Sequence, residues 1–139
     1  MEQPKKIRMG MVGGGQDAFI GTVHRMAANL DGNIELVCGA FSSDPARSVS
    51  SGRNLYLPAE RCYADYKTMF AEEAKLPEHE RMQFVSIVTP NHLHFPVAKA
   101  ALEAGFHVLS DKPATFTLQE ALDLADVLKI EIEKEEYED

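Results

Sequence analysis

Along this chain short apolar runs alternate with longer stretches in which apolar residues recur every three or four positions. The first pattern is that of a buried strand, the second that of a helix with one buried face. Residues 7–12 read as a first strand, which glycine stops at Gly13. From Ala18 to Leu30, the positions Phe19, Ile20, Val23, Met26, Ala27 and Leu30 fall at helical spacing. Asp31-Gly32-Asn33 is turn chemistry, and residues 34–41 form a second strand. Ser43-Asp44-Pro45 offers a capping side chain and then a proline suited to a first helical turn, so a short helix follows. A minor strand is predicted near Arg61-Cys62-Tyr63, and then a helix over 65–74 with Tyr66, Met69 and Phe70 inward. Residues 84–89 form a buried strand that Pro90 cuts. A helix from about 95 to 104 is closed by Gly105, residues 106–110 form the next strand, and a last helix runs from 118 to about 132.

Five strands with helical connections define a doubly wound α/β fold around a parallel sheet, because right-handed crossovers put helices on both faces. The expected strand order is 3-2-1-4-5, and ligands in such a sheet lie beyond the carboxyl ends of the strands. The turns after Val12, Phe41, Thr89 and Ser110 are therefore where chemistry should sit.

Composition narrows the class. The chain has 139 residues, 45% of them hydrophobic and 26% charged, which suits one globular domain. Its apolar runs are strand-length, short of the roughly 20 residues that cross a bilayer, and the N-terminus lacks the apolar core of a signal peptide. Cys38 and Cys62 do not make a disulfide framework or a four-ligand zinc site. A cytoplasmic protein without a membrane partner is the expectation. The net charge of −8 argues against nucleic acid. The last nine positions hold six acidic residues against one lysine. Residues 130–139 therefore read as an acidic helix end or tail following a domain over 1–129.

The first turn, Gly13-Gly14-Gly15-Gln16-Asp17-Ala18, matches the G-x-G-x-x-G/A fingerprint between a strand and a helix. Gly13 permits the tight turn, Gly15 lets main chain approach a diphosphate, and Ala18 allows close helix packing; amides at the helix start favour an anion. Asp17 suits solvent or a cap better than a phosphate. The second turn should read an adenosine ribose, for which a carboxylate at the strand end would select NAD. Here Ser42 and Ser43 close the strand, Asp44 comes late, and Arg47 could neutralise a 2′-phosphate. NAD or NADP both stay open, with a slight lean to NADP.

The third turn, Thr89-Pro90-Asn91-His92-Leu93-His94, has two readings. Thr89 and Asn91 lie beside the ribose and nicotinamide, or Asn91 only caps the next helix. His92 and His94 have no accompanying carboxylates or cysteines, so no metal site is expected; His24, His79 and His107 have no evident partners. The fourth turn is Ser110-Asp111-Lys112-Pro113. A desolvated lysine there could donate to a substrate hydroxyl or assist its proton transfer, and a cis bond before Pro113 could aim it into the cleft.

Together the glycine turn, Thr-Pro-Asn-His-Leu-His and Asp-Lys-Pro closely resemble the N-terminal domain of the glucose–fructose oxidoreductase and inositol dehydrogenase (Gfo/Idh/MocA) family, over residues 7 to about 128. The resemblance implies a Rossmann-type domain of an NAD(P)-dependent oxidoreductase that passes hydride between nicotinamide and a carbinol carbon of a sugar or cyclitol. It implies the diphosphate on Gly13, Gly14, Gly15, Gln16, Ala18 and Phe19, and the adenosine ribose at Ser42, Ser43 and Arg47. It puts Thr89, Pro90, Asn91 and His94 toward the nicotinamide half, and Lys112 as the catalytic residue on the substrate side. Two departures stand out. The family's Glu-Lys-Pro is Asp111-Lys112-Pro113, and the second, C-terminal α/β domain is expected to be absent. One domain without its partner should bind dinucleotide without appreciable turnover and self-associate through exposed apolar surface. The alternatives are a stand-alone dinucleotide-binding or sensing module and an enzyme completed by another chain.

Overall fold

Residues of 9–12 and 85–88 are almost wholly buried, as central parallel strands require when both faces are covered. The computed structural model describes residues 5–16 and 18–138; the readings of the extreme N-terminus and of Asp17 lie outside them. Four parallel strands, β1 (Ile7–Gly13), β2 (Ile34–Ala40), β3 (Phe84–Val88) and β4 (His107–Ser110), lie in the order β2-β1-β3-β4. Five helices connect or follow them: α1 (Phe19–Asn29), α2 (Pro45–Asn54), α3 (Tyr66–Lys75), α4 (His94–Glu103) and α5 (Leu118–Glu138).

Strand alternation sorts the core into two clusters. Val85 and Ile87 of β3 join Met69, Phe70, Val97, Ala98 and Ala101 from α3 and α4. Met9, Met11 and Val88 join Ala28 of α1, together with Phe41, Leu57 and Cys62. The doubly wound α/β reading is therefore correct, with helices on opposite faces of a parallel sheet. One β2 residue is extra between the pairs Met9–Leu36 and Gly10–Cys38, so the ladder shifts register there.

Three features differ from the sequence reading. The minor strand at 61–63 is a single parallel bridge between Cys62 and Gly39. Pro58 leads into a 3-10 turn at Ala59–Arg61, and Asp65 already caps α3 through its carboxylate and the Thr68 amide. No length remains for a strand. The bridge nevertheless lies beside β2, where the expected order put its third strand. α5 runs on to Glu138, so the acidic end is helical. In α1 the apolar positions mark the buried face only in part: Ile20 packs against the core, but Phe19, Met26 and Leu30 are exposed, and Gly21 and Ala28 are buried. The helix packs so closely that a Cβ on Gly21 would sit 2.4 Å from the Gly14 Cα, and only a small-residue face fits.

The half of the sheet around β2 is clasped by a buried carboxylate. Glu73 of α3 is fully buried and accepts from Arg61 Nη2 (2.6 Å) and Nε (3.1 Å), Tyr63 Oη (2.7 Å) and the Met82 amide (2.9 Å). Burial would raise its pKa, but these donors outweigh it and hold the carboxyl below its ordinary value. Burial, then the bond to Glu73, pushes the Tyr63 phenol up, so it stays a donor. Because the folded-state value is depressed, the stability Glu73 contributes is present above the ordinary carboxylate range and lost as pH falls through the depressed value. Glu73→Gln should lower unfolding free energy at neutral pH by about 3 kcal/mol, since it leaves Arg61 without its counter-charge. Urea titrations from pH 7 to pH 3 should also show a shallower acid loss in the variant; an unchanged midpoint at pH 7 would refute the clasp.

Candidate functional site

Parallel strands bring all their carboxyl ends to one edge, and there the turns after β1, β2 and β3 enclose an open crevice of about 740 Å³. Its walls include Gly13, Gly14, Gly15 and Ala18 from the first turn and Ser42, Ser43 and Arg47 from the second. Thr89, Pro90, His92 and Leu93 come from the third. Ser51 of α2 with Asp65 and Tyr66 at the start of α3 also line it, and no local motif marks these three as site residues.

The first turn needs its glycines for different reasons. Gly13 and Gly14 have φ of 84° and 76°, the left-handed region that side chains resist. Gly15 has no such φ, but a Cβ there would come within 3.0 Å of the Phe41 carbonyl oxygen, so the first two turns touch backbone to backbone. The Gly15 carbonyl accepts from the Ala18 amide (2.9 Å), and the Gln16 amide reaches Ser51 Oγ (3.4 Å). The Gly15 N–H has no partner among the described residues, and α1 begins at Phe19 without a side-chain cap. The Gly15 N–H and the uncapped start of α1 thus lie at this end of the crevice. Gln16 itself is exposed, and the Phe19 ring is 81% exposed and off the crevice wall.

Buried side chains hold the other turns from behind. Ser48 of α2 accepts from the Phe41 amide (2.8 Å) and donates to the Tyr63 carbonyl, pinning the end of β2. Ser42 Oγ accepts from the Asp44 amide (3.2 Å), and Asp44 caps α2 through the Ala46 amide (3.0 Å). Asn91 does not cap α4, which corrects that alternative. Residues Asn91–Leu93 form a separate 3-10 turn, α4 has no side-chain cap, and Asn91 is exposed. His94 is 1% exposed, with Nε2 2.9 Å from the Thr89 carbonyl oxygen and Nδ1 against that of Pro113. It therefore ties the third turn to the fourth and does not line the crevice.

The Lys112–Pro113 bond is cis. Lys112 is exposed and off the crevice wall, contrary to the expectation of a desolvated lysine, because no described residue covers that side. His24, read from sequence as partnerless, lies 2.8 Å through Nδ1 from the buried Ser86 Oγ and 3.8 Å through Nε2 from Asp111. It links α1, β3 and the fourth turn. Its role was invisible because its partners are 62 and 87 positions away. Among the described residues, no three His, Cys, Asp or Glu side chains come together as a metal site, and no helix is long and apolar enough to cross a membrane.

Residues 7–132 match the Gfo/Idh/MocA family, described as an oxidoreductase family with an NAD-binding Rossmann fold. The chain is 46% identical over 121 residues to the uncharacterized oxidoreductase YfiI of Bacillus subtilis, covering 86% of this chain and 30% of that protein. The crystal structure of an inositol dehydrogenase homolog of Azotobacter vinelandii complexed with NAD+ superposes with a TM-score of 0.86 at 46% identity, over 91% of this chain and 32% of that one. Its complex with NADH and myo-inositol gives the same TM-score and identity, over 91% of this chain and 33% of that one. The chain thus spans about a third of the length of these relatives. Fold, glycine turn and sequence agree: the chain belongs to the Gfo/Idh/MocA oxidoreductase family and comprises its NAD-binding Rossmann domain.

Proposed function

We propose that this chain binds NAD(H) in the crevice at the carboxyl ends of β1, β2 and β3, and that it serves hydride exchange with a carbinol carbon of a sugar or cyclitol. The observation that carries the proposal is the set of unpaired amides at Gly15 and the uncapped start of α1, reached across glycines with no side chain in the way. That donor set suits a diphosphate. Gly13, Gly14, Gly15 and Ala18 would hold it, with the Gln16 amide and the Phe19 amide, not the Phe19 ring, completing the contact.

Ser42, Ser43 and Arg47 would meet the adenosine ribose. Their hydroxyls and positive charge gave the lean toward NADP, but nothing in the comparisons supports it. The relatives complexed with NAD+ and NADH favour NAD(H). Thr89, Pro90 and Asn91 would face the nicotinamide half, where the bound cofactor supplies the hydride acceptor or donor. His94 would act there only through the two carbonyls it holds. Lys112 would bind the substrate hydroxyl and take or return its proton, with His24 fixing Asp111 beside it. The myo-inositol bound by the homolog supports a polyol substrate. Two buried, unpaired cysteines, Cys38 and Cys62, agree with a cytoplasmic setting. Dinucleotide binding without turnover is the second reading, favoured by the exposure of Lys112 and the open side of the site.

Titrating the chain with NADH and NADPH side by side, followed by nicotinamide fluorescence, should show saturable binding with NADH at least tenfold tighter. No saturation with either nucleotide would refute the proposal, and tighter NADPH would reverse the cofactor assignment. Lys112→Ala should leave NADH affinity within about twofold, because the lysine lies outside the crevice wall. A tenfold loss would move Lys112 into the cofactor site. α1 exposes Phe19, Met26 and Leu30, and its Val23 and Ala27 line a groove of about 410 Å³ with Ile34, Phe84 and Leu109. The chain should self-associate through this face. Sedimentation should show a mass that rises with concentration and returns to monomer in Met26→Glu; a wild-type monomer throughout would exclude it.

A further inference from the structure

Arg25, on the second turn of α1, points back beneath the glycine turn. Its Nη1 donates to the Gly14 carbonyl oxygen (2.8 Å) and lies 3.3 Å from Met11 Sδ, while Nη2 donates to Thr22 Oγ1 (3.2 Å). No carboxylate lies within 4 Å of it among the described residues. Burial shifts its pKa downward from the ordinary arginine value, yet a guanidinium keeps its charge at neutral pH. A half-buried cation thus sits against the turn with only neutral partners among the described residues.

The peptide plane converts this contact into an orientation. The Gly14–Gly15 bond is trans, so its C=O and N–H point in opposite directions. A carbonyl held down toward Arg25 turns the Gly15 N–H away from the helix, and that N–H is unpaired while Gly15 lines the crevice. With glycine on both sides, no side chain restrains the rotation of this plane. We propose that Arg25 is a positioning residue for diphosphate binding: it locks the Gly14–Gly15 peptide so that the Gly15 amide faces the anion, and its uncompensated charge favours that anion through the same peptide. The proposal rests on the dinucleotide reading and adds to it a residue outside the glycine fingerprint.

The test is calorimetric titration of wild type, Arg25→Met and Arg25→Lys with NADH, ADP and adenosine, with folding of each variant checked by its amide spectrum. Arg25→Met should weaken NADH and ADP by about tenfold or more, the effect of losing a charge-assisted contact. Adenosine, which lacks the diphosphate, should bind within about twofold of wild type. Arg25→Lys should recover part of the loss by returning the charge without the forked donor. Equal loss for adenosine, or no loss for NADH, overturns the proposal; failure of wild type to bind NADH overturns the dinucleotide reading instead. If the variants do not fold, ADP added to labelled wild type must shift both the Gly15 amide and the Arg25 guanidinium resonances. Bound ADP that leaves either unmoved overturns the proposal.

Discussion

The contact between the first turn and the first helix governs the rest of the site. Gly14 and Gly21 meet so closely that neither tolerates a Cβ, which brings the start of α1 against the end of β1. That approach leaves the start of α1 without a side-chain cap, beside the crevice that Ala18 lines. A larger residue at either position would push the helix outward and disperse the donors. The same economy of space explains why α1 meets the sheet with Gly21 and Ala28 while Phe19, Met26 and Leu30 face outward.

Around that contact the turns are braced by polar side chains partnered inside the fold. Ser48 holds the end of β2, His94 joins the third turn to the fourth, and His24 joins Ser86 to Asp111. No buried side-chain nitrogen or oxygen among the described residues lacks a partner. Open donors occur on the backbone, at the mouth of the crevice. This division between a satisfied frame and unsatisfied amides is what a preorganised anion site requires.

Much of this was legible in the chain because it depends on local chemistry. Apolar period, turn residues and caps located the four strands and five helices, and the glycine run pointed to the end of β1, where the crevice lies. What failed depended on distance. The bridge at Cys62 looked like a strand because nothing local reveals that Arg61 and Tyr63 serve Glu73. By spacing Asn91 suits a cap as well as a cofactor contact, and the cap fails because the 3-10 turn at Asn91–Leu93 stands before α4. The roles of His24, Arg25 and His94 belong to contacts between elements, which one sequence does not display.

The central claim is that bare backbone amides, not side chains, receive the diphosphate. Amide chemical-shift mapping of the uniformly labelled chain with NADH tests it most directly. The largest changes should fall on Gly13, Gly14, Gly15 and the first amides of α1, with lesser changes at Ser42, Ser43 and Thr89. Saturable binding that leaves the Gly14 and Gly15 amides unmoved would contradict the account.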